Sequence, residues 1–447
     1  MTERRSIIRW FGACAIVPLL AVALSSLPTA QTLAATTYTV YNSPQNGQPG
    51  DIDGSEIIDI TPNNQFAVVV GSRDLSERRL YMATLSPESG IVVSQIDLDA
   101  AVNGRGLTNP LPSSVAIHPT GDYALVTIRE GGAPANTATE TTGLGVFVNI
   151  ADNGALSLVT NPVLTLGIRP ESIDISADGE FAVVANEGSN GIGNSGSISI
   201  IDLDASGAST GSVVQNITPP NETNADPESV AIAPDGQRAF VTLESSGNIA
   251  IVNIGTPLNT STAVTVDFTG NSGWLPDGIA VTPDSQYVIT GNEGNNRVHM
   301  FQVTDPGTGP TLTLVDNSGT DLPAGSTPEM VAIGTIGGEL RAFVTLEAAD
   351  AVAVFKLDPA GADKLLFETT IDLNRTGQPP ADGPEGIAVA NGRELIVTAN
   401  AFSNNISIIV SETSSPSPSP SPSISPSPSP STPPTLTKQV WLPLIRQ

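Results

Sequence analysis

The feature that most constrains this chain is a phrase that recurs. Residues 226–254 read DPESVAIAPDGQRAFVTLESSGNIAIVNI. Three short runs rich in Val, Ile and Ala are separated by turn residues, Pro234-Asp235-Gly236 and then 245–248. Apolar runs bounded in this way read as strands of an antiparallel meander. Three such strands bury too little to stand alone, so the unit must be repeated. It returns as PSSVAIHPTGDYALVTIREGG from Pro112, PESIDISADGEFAVVANEGSN from Pro170 and PDGIAVTPDSQYVITGNEGNN from Pro276. It returns again as PEMVAIGTIGGELRAFVTLEAAD from Pro328, PEGIAVANGRELIVTANAFSNN from Pro384 and, more weakly, SEIIDITPNNQFAVVVGSRD from Ser55.

Aligned on the second apolar anchor, the copies fall at Ile58, Val115, Ile173, Val230, Ile279, Val331 and Ile387, spaced by 57, 58, 57, 49, 52 and 56 residues. The intervals leave room for a fourth, outer strand near 91–98, 163–166, 212–217, 263–268, 312–315 and 365–371. The pattern predicts an all-β, seven-bladed β-propeller with four-stranded antiparallel blades. The last repeat lacks its fourth strand, while Tyr38-Thr39-Val40-Tyr41 is a strand signal with no repeat of its own. This N-terminal strand is expected to complete the last blade, which removes a sheet edge.

The propeller is assigned to 36–412. Residues 1–35 carry Arg4, Arg5 and Arg9 before an apolar run at 10–24 and small residues at Ala34 and Ala35, the layout of an export signal, by the general or the twin-arginine route. Residues 413–436 alternate Ser and Pro and are expected to form an extended stalk of roughly 60 Å. Residues 437–447 end in Val440-Trp441-Leu442-Pro443-Leu444-Ile445-Arg446, too short to span a bilayer and read as a sorting or anchoring tail or a plain disordered end. Cys14 is the sole cysteine, so neither a disulfide nor a thiolate metal site is expected in the propeller.

With 45 acidic against 18 basic residues, the formal charge is −27. Such a field repels nucleic acid and attracts cations. In an antiparallel pair, the start of one strand and the end of the next share an edge. The position after the leading Pro reads Glu56, Ser113, Glu171, Glu228, Asp277, Glu329 and Glu385. A second position, at the end of the second strand, reads Ser72, Arg129, Glu187, Glu244, Glu293, Glu347 and Asn400. Both series are expected at one end of the ring, around the channel mouth, with Asn186, Asn292 and Asn400 adding neutral oxygens. Crowded carboxylates need donors, raised pKa values or a cation. Glu228, Glu244, Asp277 and Glu293 are the candidate ligands, and hard oxygen donors suit Ca²⁺ or Mg²⁺. The alternative is structural: a repeated acid that accepts backbone N–H groups from the next blade.

No catalytic set emerges. His118 and His299 are the only histidines, expected far apart, so neither a paired-histidine metal site nor a Ser-His-Asp triad is supported. Asp51-Ile52-Asp53-Gly54 and Asp202-Leu203-Asp204 lack the rest of an EF-hand loop. Trp274 is read as a core residue or as an exposed aromatic on the acidic face.

PESVAIAPDGQRAFVTLESSGNIAIVNI and PDGIAVTPDSQYVITGNEGNN, with their P-[ED]-[SG]-[IV]-A-[IV] openings at Pro227 and Pro276, resemble bacterial YVTN-type propellers, especially those called choice-of-anchor I. The likeness runs through the repeats, and blades one and two depart most, with Ser55 for the leading Pro and Ser113 for Glu. The resemblance implies a seven-bladed propeller, secreted or on the cell surface, with a C-terminal anchoring device. The expected function is a binding or display module that engages an extracellular ligand or cell-envelope component as a monomer. Some relatives are phosphatase-, phytase- or lactonase-like, so the alternative is a Ca-dependent hydrolase of the lactonase or phosphoesterase type.

Overall fold

The computed structural model describes residues 36–412, apart from 44–51, 53, 72–77, 87–91, 132–140, 190–193, 223–224, 269–272, 306, 308, 375 and 377–379. The expected export signal, stalk and tail lie outside the described residues, as do Asp51, Asp53 and Ser72.

Seven four-stranded antiparallel sheets follow the seven repeats. Blades one to six cover 55–97, 110–168, 170–217, 227–266, 276–317 and 328–372. The seventh comprises Pro384–Ala390, Leu395–Asn400, Asn405–Glu412 and, at its outer edge, Thr37–Ser43. Thr37 lies opposite Glu412 and Tyr41 opposite Ile408, so the N-terminal strand closes the last blade. Each innermost strand packs against that of the next blade, and the seventh returns to the first.

Strand alternation explains why the sheets stack radially. Successive side chains point to opposite faces, so a strand apolar at every position feeds two cores at once. In Phe66–Gly71, Ala67 and Val69 enter the seam with blade seven, and Val68 and Val70 the seam with blade two. In Arg238–Leu243, Ala239, Val241 and Leu243 face blade three while Phe240 faces blade five. Every seam holds its own apolar cluster, and the core is therefore a ring of seven. The tight turns between the first two strands run through residues such as Gly179 and Gly236, at φ +75° and +68°, where glycine carries no Cβ penalty. No helix among the described residues is long and apolar enough to cross a membrane.

Candidate functional site

The mouth is built by the register of the two inner strands. Pro170 pairs with Asn186, Pro227 with Leu243, Pro276 with Asn292 and Pro328 with Leu346. The acid after each Pro and the acid after each partner therefore share an edge. The register then slips before the apolar anchor, a bulge that re-aims the intervening side chains. The backbone N–H of the second acid donates to the carbonyl of the residue before Pro: Glu187 to Arg169 at 2.8 Å, Glu244 to Asp226 at 3.0 Å, Glu293 to Leu275 at 3.2 Å and Glu347 to Thr327 at 3.1 Å.

Blade seven corrects the expected alignment. Pro384 pairs with Asn400, which makes Asn400 the counterpart of Asn186 and Asn292 rather than of the acids. The second position there is Ala401, whose N–H donates to Gly383 O at 2.8 Å. The three asparagines are fully buried and none lines the mouth. Asn186 donates to Ser197 O and Ser199 Oγ, and Asn400 to Asn405 Oδ1 and Ser407 Oγ. Asn292 Oδ1 accepts from Leu275 N and Asn295 N. They brace their own blades instead of adding oxygens to the channel, because adjacent residues of a strand point to opposite sides.

All seven first positions converge. Glu56, Ser113, Glu171, Glu228, Asp277, Glu329 and Glu385 line one cavity of about 300 Å³, joined by Arg129. Ser113 is committed to structure: its Oγ donates to Pro170 O at 2.5 Å and shares a 2.9 Å bond with Thr127 Oγ1.

The two sides of this mouth differ. On blades two and three, Arg129 bonds Glu171 at 3.0 Å, and Arg169 reaches Glu187 at 2.6 Å and Glu171 at 3.6 Å. Burial and Glu171 push Glu187 up to about 8 against the pull of Arg169. On blades four to six there is no such guanidinium among the described residues. Asp277, Glu293 and Glu329 bring one carboxylate oxygen each within 4.8 Å of the others. Burial, then the charges of Glu293, Glu244 and Glu347, raise Asp277 to about 7. Burial, then Asp277, Glu347 and Glu385, raise Glu329 to about 12. Glu228 is pushed well up by burial and Glu171, and Glu244 is raised by burial and Asp226. Glu228 and Glu244 stay outside the three-oxygen cluster, which takes Glu329 instead.

Local sequence explains why the cluster forms at the seam of blades five and six. At the equivalent places in blades four and six, Thr242 and Thr345 place a hydroxyl against the next blade, bonding Asp277 O at 2.7 Å and Glu385 O at 3.1 Å. Blade five has Gly291 there, where a Cβ would sit 2.0 Å from Glu329 O, and Gly278, where one would sit 2.5 Å from Met330 Cα. The two glycines let the inner strand of blade six close directly onto blade five.

Acids that clip one blade to the next do occur, deeper in the channel. Asp59 accepts from Ile60 N at 2.7 Å and, across the seam, Ile117 N at 2.8 Å. Asp174 accepts from Ile175 N at 2.8 Å and Ile232 N at 2.7 Å. Burial raises them to about 6 and about 7. The residues missed in the sequence are Arg169 and Asp226, both directly before the leading Pro, where the repeats share no residue type.

Neither histidine lines the mouth cavity. His118 is fully buried and lies 2.9 Å from Thr120 Oγ1 and 3.2 Å from Gly179 O, beyond the other end of the inner strand. His299 is buried inside blade five, stacked on Trp274 at 4.3 Å, with Phe268 and Phe301 completing the cluster. Burial holds its imidazole down at about 4. Trp274 is half-buried and packs in this cluster.

Residues 56–265 match the model of the Choice-of-anchor I domain, a segment that ends with blade four. No curated protein matches. Among solved structures, a hydrazine synthase chain of Kuenenia stuttgartiensis is similar at 15% identity and TM-score 0.55, covering 82% of this chain and 96% of its own. The periplasmic gluconolactonase of Pseudomonas aeruginosa matches at 17% identity and TM-score 0.52, over 83% and 92%. A protein of Lactobacillus plantarum matches at 16% identity and TM-score 0.54, over 75% and 96%. At these identities the likeness is one of fold. Together the matched segment and the seven closed blades support the likeness to choice-of-anchor I β-propellers.

Proposed function

We propose that this propeller is a surface-associated binding module whose channel mouth holds a divalent cation, calcium, and presents it to an extracellular ligand or cell-envelope component. The observation that carries the reading is the convergence of Asp277, Glu293 and Glu329 oxygens within 4.8 Å, with no basic partner among the described residues. Three carboxylates offer up to six oxygens, and calcium takes about six to eight, so water or ligand oxygens complete the shell. The choice-of-anchor I match supports surface association.

The second reading is a calcium-dependent lactonase or phosphoesterase, in which a cation at the same place polarises substrate and activates water. The gluconolactonase fold likeness keeps this reading in view. Against it stands the absence of a histidine or an uncommitted serine among the residues lining the mouth. Thermal melts in EDTA and in calcium, run beside a panel of lactones and phosphoesters, test both. The binding reading expects a calcium-dependent rise in melting temperature without turnover. Turnover abolished by EDTA establishes the hydrolase, and melts unaffected by either condition contradict both.

A further inference from the structure

The repeat would place an acid at both mouth positions of blade two, yet the chain has Ser113 and Arg129. The guanidinium of Arg129 reaches into the cavity and pairs with Glu171 of the next blade at 3.0 Å, and Arg169 lies on the other side of that carboxylate at 3.6 Å. Glu171 thus sits between two fixed positive charges. The far side has the opposite character. Outside the cavity lining, where its charge acts on Glu187 and Glu244, Asp226 is 3% exposed, and its Oδ1 has no hydrogen-bond partner among the described residues. Its other oxygen accepts from Ser245 Oγ, beside Glu244. A buried carboxylate oxygen without a donor is left without the partner that burial requires.

We propose that Arg129 is a tethered counter-ion that stands in for a mobile cation on the blade-two side, so that the mouth takes a single divalent ion and takes it over blades four to six. This rests on the cation reading of the mouth and adds its stoichiometry and placement. A guanidinium neutralises Glu171 permanently and offers no ligand oxygen, so that side has no use for a free ion. The acids of blades four to six have no built-in charge of this kind. Arg129 is a positioning residue: it decides where the ion sits without touching it.

The test is calcium binding, with calcium alone as probe, measured by titration calorimetry on the chelator-stripped full chain and on Arg129→Gln, with Arg129→Lys as the conservative control. Wild type and Arg129→Lys are expected to bind about one ion per chain, and Arg129→Gln about two. Adding Glu171→Gln to Arg129→Gln should return the count to one, an outcome that a purely structural role for Arg129 would not produce. Equal stoichiometry and affinity in wild type and Arg129→Gln overturn the inference. If wild type binds none while Arg129→Gln binds one, the cation reading of the native mouth fails and the counter-ion role stands. If neither binds, both fail. Should Arg129→Gln not fold, Arg129→Glu, which restores the acid that blades three to six carry at this position, removes the same guanidinium and carries the same expectation.

Discussion

The two sides of the channel mouth share one backbone plan and solve the same electrostatic problem in opposite ways. On blades two and three, Arg129 and Arg169 lie within 3.6 Å of Glu171, and Arg169 also holds Glu187. On blades four to six, Asp226, Glu244, Asp277, Glu293 and Glu329 occupy equivalent or adjacent places with no arginine between them. One side carries its neutralising charge covalently. The other leaves a charge deficit that raised pKa values or a bound ion must meet. A rotationally repeated scaffold can therefore confine a ligand to one sector by changing a few residues, without altering the blades.

The contrast can be broken from either side. The largest effect is expected for Arg169→Gln, which leaves Glu171 and Glu187 facing each other with one guanidinium fewer. Removing one partner of a largely buried pair costs about 3 kcal/mol. Denaturant unfolding at pH 7.5 should show that loss, and an unchanged midpoint would mean that this side is not held by its arginines. Next comes Gly291→Ala. Its Cβ would lie 2.0 Å from Glu329 O, so the inner strand of blade six must retreat, at about 2 kcal/mol. The same retreat should weaken calcium binding, while a variant that binds calcium as wild type does would separate the cluster from this close approach.

Asp277→Asn should act in the opposite sense to Arg169→Gln. Asp277 titrates at about 7 in the folded chain, well above the unfolded value of about 3.9. The folded state then binds more protons, so the carboxyl contributes stability at low pH that is lost as pH rises through 7. In EDTA at pH 8 the variant should be more stable than wild type by about 1 kcal/mol. A destabilised variant would mean that Asp277 has a donor in the native state. The same sign is read on the whole chain in EDTA. Asp59 near 6, Asp174 and Asp277 near 7 and Glu187 near 8 share the same sign. The melting temperature should therefore fall by a few degrees between pH 5 and pH 8, and calcium should flatten the slope. A rising curve over that window contradicts the assignment.

The architecture was legible because every blade must obey the same two demands, alternating apolar strands and tight turns, and both leave period-bearing residues such as Val230, Gly236 and Val241. The closing strand was legible because Tyr38–Tyr41 had no repeat to belong to. The charge contrast was harder to see. Arg129 was visible as a departure from the repeat, but Arg169 and Asp226 occupy a place held elsewhere by Leu275, Thr327 and Gly383, where only the backbone carbonyl is shared. A position with a common backbone role and a free side chain gives no repeat signal. Asn400 was assigned one residue out of register because blade seven offers Ala401 where four blades have Glu. The role of Gly291 becomes readable only beside Thr242 and Thr345, whose hydroxyls span the gap that it closes.

The central claim is that Asp277, Glu293 and Glu329 form the cation site. The most direct measurement is a calcium titration of chelator-stripped protein at pH 8, in parallel with Glu293→Gln. The account predicts saturable binding to wild type, weakened at least tenfold in Glu293→Gln with the fold intact. Equal binding by both proteins, or by neither, would contradict it.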